Sequence, residues 1–278
     1  METSLWIASG LVPALISVVA CVGACRLDRR PPDTIAGAHS LGYLPLWLGM
    51  GWTLAVIAGL IGQRYISGDE SSLLWPSDFW QRGFWGMTAA AVTMGLLGPN
   101  STLRWVMGAI IAFSAAAFAL PSGDGWDDAL PLHRGWMLLL GGSGLASMWS
   151  LERLGRGTAE HLPADRWLPL VVLATLAGPM FVGVTTYSAL ATWTISAIVS
   201  TIVCVLFAAM GHLRAVVGIA YPASIFCIVM ISAGRFYSYE NHPWWTYAGI
   251  LWVAPAVALS DGFVGKKSTA IRAGAAAL

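Results

Sequence analysis

Residues 167–210 run for 44 positions without one charged side chain. At 1.5 Å per residue, a single helix of that length would measure about 66 Å. That is roughly twice the hydrocarbon core of a bilayer, about 30 Å. One straight span cannot use such a run, so the chain must turn back inside it, near Thr185-Thr186-Tyr187-Ser188. Nothing in a water-soluble fold calls for it. The bilayer is the solvent in which this chain makes sense.

The rest of the sequence agrees. Of 278 residues, 57% are hydrophobic and 10% charged, against about 25% charged in an average soluble domain. The mean hydropathy is +0.69. A formal net charge of +1 gives no field for gathering nucleic acid or an acidic partner, and no basic patch interleaved with aromatics occurs. The four cysteines, Cys21, Cys25, Cys204 and Cys227, lie inside apolar runs and form no CxxC pair. They read as small, soft hydrophobes.

A spanning helix needs about 20 mostly apolar residues. Reading between charges gives nine runs, near residues 5–25, 41–63, 83–97, 105–120, 135–151, 167–187, 188–210, 215–234 and 243–260. Together they form a single transmembrane domain, and residues 261–278 form a tail. The third, fourth and fifth runs are short, reaching only about 23 to 26 Å at helical rise. Gly141 to Gly144 and Gly178-Pro179 interrupt two runs, a pattern that points weakly to substrate sites in transporters.

Lys and Arg concentrate in cytoplasmic loops. With the N-terminus outside, eleven of the fifteen fall inside and four (Arg64, Arg82, Arg134 and Arg235) fall outside. Fusing the sixth and seventh runs changes this to eight and seven, which removes the bias. Nine spans, N-terminus outside and C-terminus cytoplasmic, is the expected topology. The stretch Val18-Val19-Ala20-Cys21 matches a lipoprotein cleavage box, but Arg26, Arg29 and Arg30 follow it, as they would follow a retained helix.

Between the ends of these runs there is no Asp, Glu, Lys, Arg or His. Proton relays and ion-coupled pumps usually carry such residues, because charge in hydrocarbon is costly. The polar content is hydroxyl instead. In the run 188–210, Ser188, Thr192, Thr194, Ser196, Ser200 and Thr201 are expected to face other helices, each bond adding about 0.6 kcal/mol. No HExxH, GxSxG or GxGxxG is present, and the stretch at Gly262 to Ser268 has Ser260 where a phosphate loop needs Gly. No cofactor, nucleotide or nucleic acid is expected.

That leaves the outer connectors. "RFYSYENHPWW", from Arg235 to Trp245, is either an aromatic belt at headgroup depth or part of a site. The candidate cluster on that face is Asp127, Asp128, His133, Arg134, Arg235, Glu240 and His242. His133 and His242 are weak candidate metal ligands, because no two of these groups stand at i and i+4 on one helix. The expectation is a spread around the perimeter.

The chain therefore reads as an all-α polytopic integral membrane helix bundle, in a cell membrane and by expectation a bacterial inner membrane. Its expected function is a non-catalytic membrane component: a permease-like subunit, or a scaffold for a neutral or amphipathic solute or a partner protein. The alternative is an integral membrane enzyme with an outer-face site around His133 and His242. Its expected partners are the lipid bilayer and other membrane subunits.

Overall fold

The computed structural model describes residues 2–27, 44–68, 79–97, 101–120, 130–155, 164–186, 188–210, 216–236 and 242–264. These are helices and the short connections that join them. The elements are α1 (Glu2–Trp6), a π turn (Ile7–Leu11), α2 (Val12–Leu27), α3 (Leu44–Ser67), a 3-10 turn (Phe79–Arg82), α4 (Gly83–Leu96), α5 (Thr102–Ala119), α6 (Leu130–Gly155), α7 (Ala164–Thr186), α8 (Ser188–Ala209), a second 3-10 turn (Val216–Ile219), α9 (Ala220–Phe236), α10 (Trp244–Leu251) and α11 (Val253–Val264). Among the described residues, six helical segments are long and apolar enough to cross a membrane. They are Ser4–Leu27, Leu44–Ile66, Thr102–Ala119, Leu168–Thr185, Ala189–Ala209 and Val217–Phe236.

Prolines set several of the local geometries. Pro45 falls in the first turn of α3, where a missing N–H leaves nothing unpaired. Pro13 falls inside the first rod, and there its missing N–H orphans the carbonyl of Ser9, four residues back. The backbone answers with the π turn, in which Val12 donates to Ile7 rather than to the fourth carbonyl back. The Ser196 hydroxyl of α8 donates to the freed Ser9 carbonyl at 3.0 Å. Pro255 acts likewise at the other end of the chain. It withholds a donor from Leu251, and the helix breaks at Trp252 into α10 and α11.

The uncharged run divides into α7, ending at Thr186, and α8, beginning at Ser188. Gly183 of α7 lies so close to α8 that a Cβ on it would meet the Ala191 nitrogen at 2.5 Å. Residues eight apart on one helix are about 12 Å apart, so the chain reverses here. Four of the six hydroxyls expected to face other helices, Thr194, Ser196, Ser200 and Thr201, are buried; Thr192 is half-buried, and the side chain of Ser188 lies outside the described residues.

The centre of the bundle is α9. In its span 94% of the residues are buried, against 28% to 50% in the other five. Helices α3 to α8 and α10 all pack against it. One end of the space around it is filled by rings. Trp193 lies 5.0 Å from Phe226 and 5.5 Å from Trp80, with Trp52 edge-on to Phe226 at 6.2 Å. Two of the indoles are satisfied as well as packed. Trp193 donates to the Val56 carbonyl at 2.9 Å and Trp52 to the Thr201 hydroxyl at 3.0 Å.

Two of the glycines of residues 141–144 serve packing, while Gly142 faces open space. They lie within one continuous α6, where Gly141 admits the Phe113 ring and Gly144 the Ile228 side chain. Between them Ser143 accepts from the Trp252 indole at 3.2 Å. Gly178 makes room for Ile250 in the same way.

Candidate functional site

The helices run further than the uncharged stretches, and this overturns one expectation. The interior is not free of charge. Arg64, Arg104 and Glu152, which the sequence places in connectors, are all buried, at 3%, 4% and 1% exposure. Taking Arg104 from the inner count and Arg64 from the outer leaves the Lys/Arg imbalance in place.

Arg104 stands in the first turn of α5 and Glu152 in the last turn of α6. Both positions oppose the helix macrodipole, which favours acids at N-termini and bases at C-termini. Neither residue is there to cap its own helix. Each is there for the other: Arg104 Nη2 lies 3.1 Å from Glu152 Oε1. The second carboxylate oxygen accepts from the Tyr221 hydroxyl at 2.9 Å, and Tyr221 comes from the first turn of the central helix. Arg104 Nη1 donates to the Leu97 carbonyl at 3.0 Å, and its other amino group touches the Met94 sulfur. The guanidinium also sits 5.5 Å from the centroid of the Tyr221 ring. Gly108, one turn along α5, leaves room for that ring; a Cβ there would already stand 3.3 Å from it.

The cluster thus ties α5, α6 and α9 together with one positive charge, one negative charge and one phenol. Desolvating two charges is expensive, and the penalty is offset only where geometry is good and the remaining lone pairs are used. Here both carboxylate oxygens are used. Buried hydroxyls continue along the α6–α9 seam. Ser224 lies 3.4 Å from Ser147 Oγ and donates to the Ala220 carbonyl at 2.9 Å.

At the opposite end of α9 the arrangement is different. Arg235 lies over Trp136 and Phe236, 5.6 Å from each centroid. Trp136 meets Phe236 at 6.1 Å and Tyr247 at 5.8 Å, both edge-to-face. His242 extends the chain of rings, 6.1 Å from Tyr247 and 6.0 Å from Phe181. The cluster joins α6, α7, α9 and α10. The described residues of the stretch from Arg235 to Trp245 therefore play two parts. Arg235, Phe236 and His242 turn inward, while Trp244 and Trp245 stay exposed at 61% each, as belt residues do.

Of the seven candidate residues, Arg235 and His242 are joined through this ring cluster, and Arg134 is exposed on the first turns of α6. Asp127, Asp128 and Glu240 lie outside the described residues, as does the side chain of His133. Among the described residues no group of three or more His, Cys, Asp or Glu could hold a metal ion. Missed in the sequence were Arg104, Glu152 and Tyr221. The usable signal was there: two charges of opposite sign, each flanking an apolar run, each against its helix dipole.

Neither a family model, nor a curated protein, nor a solved structure matches this chain.

Proposed function

We propose that this protein is a non-catalytic membrane component of nine spans, with its N-terminus outside and its C-terminus in the cytoplasm. It works as a scaffold for partner subunits and for an amphipathic molecule held at its flank. The observation that carries this reading is the filled surround of α9. A permease for a small polar solute needs a path between its helices, and the axis of this bundle is occupied by an almost wholly buried helix and interlocked rings. The lateral surface is what remains for function. The Arg104–Glu152–Tyr221 cluster fits the same reading, because a buried ion pair with both carboxylate oxygens engaged fixes which helices meet.

Native gel electrophoresis of gently solubilised membranes tests the scaffold. A complex heavier than the 29.5 kDa chain is expected. A lone monomer, together with fast glycerol swelling of liposomes that contain the protein, overturns it in favour of a central path. For topology, a reporter active only in the cytoplasm is expected to work at the C-terminus and to stay silent in the loop at residues 124–134.

The second reading is an integral membrane enzyme with an outer-face site drawn from Asp127, Asp128, His133, Arg134, Arg235, Glu240 and His242. It is favoured by the inward turn of Arg235 and His242, two functional side chains half-buried in one ring cluster. Loss of the cellular phenotype in His133→Ala and His242→Ala, with insertion and abundance unchanged, is the result that promotes it.

A further inference from the structure

One cavity is assigned to none of this. Between α4 and α5 the flank of the bundle holds a groove of about 340 Å³. Arg82, Trp85 and Phe118 line one end, Ala89 and Ile110 the other, and Gly86 is part of its wall between them. Contacts fix the two helices as an antiparallel pair. Gly86 would meet Ala115 at 3.4 Å through an added Cβ, and Arg104 reaches Leu97 at the far end. Arg82 and Phe118 therefore lie at the same membrane boundary, and Ala89 and Ile110 lie deeper.

The dimensions suit one leaflet. Seven residues separate Arg82 from Ala89 and eight separate Ile110 from Phe118, or about 10 to 12 Å along the axes. Half of a hydrocarbon core is about 15 Å. Chemistry changes along the same direction. A guanidinium and an indole stand at the boundary, where such groups meet headgroups, and the lining below is almost wholly apolar, with only the Ser114 hydroxyl breaking it. Trp85, Ile110 and Phe118 are exposed at 48%, 53% and 60%, so the groove opens sideways towards lipid.

We propose that this groove is a binding site for one glycerophospholipid, with its phosphate on Arg82 and one acyl chain laid between α4 and α5 down to Ala89 and Ile110. A guanidinium has five donors in a planar fork, so it can take a phosphate while serving another acceptor. Charge at one end and hydrocarbon along the rest match a phospholipid, whose phosphate lies at the boundary while its acyl chain runs inward. The inference deepens the flank-binding part of the proposed function and rests on the membrane reading.

The test is native mass spectrometry of the full-length detergent-solubilised chain, titrated with dioleoyl phosphatidylglycerol and, in parallel, with dioleoylglycerol, which lacks the phosphate. One phosphatidylglycerol per chain is expected to bind about tenfold more tightly than dioleoylglycerol, the scale of a charge-assisted hydrogen bond. Arg82→Gln is expected to erase that difference. Ala89→Phe, at an exposed position, fills the deep end and is expected to weaken both lipids. Leu103→Ala, exposed at the other end of α5, is expected to change nothing. Equal binding of the two lipids to the unaltered chain overturns the proposal, as does unchanged binding in the Ala89→Phe variant. Loss of the native-gel complex in these variants, with lipid binding intact, makes the groove a partner-helix site instead. If lipid specificity fails while the complex persists, only the groove falls. If the complex is absent while the specificity holds, the scaffold falls and the groove stands.

Discussion

The two ends of α9 handle a buried or half-buried arginine in opposite ways. At its first turn, Arg104 is matched by a carboxylate, and Tyr221 binds the carboxylate's other oxygen. At its last turn, Arg235 has rings beneath it, with Trp136 and Phe236 at 5.6 Å. The first arrangement removes charge from water and must replace hydration by near-complete pairing. The second leaves the head half-exposed and uses the stem and the ring faces. A lock and a hinge-tolerant collar are different devices. The difference predicts that the Tyr221 end is rigid and intolerant, and that the Arg235 end accepts change.

The largest expected effect is at Glu152. Glu152→Ala leaves Arg104 buried without its counter-charge, which costs about 3–5 kcal/mol and should be read as a large fall in the thermal midpoint in detergent and in membrane abundance. Pairing it with Arg104→Met should recover most of that loss, since an apolar replacement of both partners leaves no orphan. If the single change is as mild as one at the rim, the contrast between the two ends is gone.

Tyr221→Phe comes next. It removes one hydrogen bond to a charged group and keeps the ring, and a loss of about 1.5–3 kcal/mol is expected. Because the ring remains over Arg104, this variant separates the phenol from the packing. A melt indistinguishable from the unaltered protein would mean that Arg104 alone holds the carboxylate.

Arg235→Gln should cost less, about 1 kcal/mol, because Arg235 is only half-buried over its rings and such a contact is worth about 0.5 to 2 kcal/mol as exposure falls. A greater loss than that of Tyr221→Phe would invert the comparison and favour the outer-face site. Smallest is Ser196→Ala, which deletes the neutral bond to the Ser9 carbonyl and should cost about 0.6 kcal/mol. It calibrates what an interhelical hydroxyl is worth in this bundle without any charge involved.

Much of the fold could be read from the chain because its strongest signal is local. The uncharged run 167–210 is too long for one span, and it does reverse between α7 and α8. Reading between charges also explains the main error. It puts every charged residue outside a helix by construction, so Arg104 and Glu152 became loop residues although each lies within a helical turn of an end. Only their opposition to the helix dipoles marked them as odd. Gly141 to Gly144 look like an interruption in the sequence, yet α6 runs through them. Glycine signals flexibility or close approach equally well, and the choice depends on whether a neighbour such as Phe113 or Ile228 arrives to fill the space.

The sequence by itself determined that the chain is helical and suited to a membrane. Apolarity over about 20 residues is additive along the chain, and backbone polar groups in lipid must be satisfied within each helix. Only the tertiary structure decided which helix lies at the centre. The spans of α7 and α9 are equally apolar, yet half of one is buried and 94% of the other. In water a buried face and an exposed face differ in polarity, so periodicity reveals them. In a bilayer both lipid and protein accept the same side chains. The position of α9, and the pairing of Arg104 with Glu152 beside it, therefore had to come from how the helices meet.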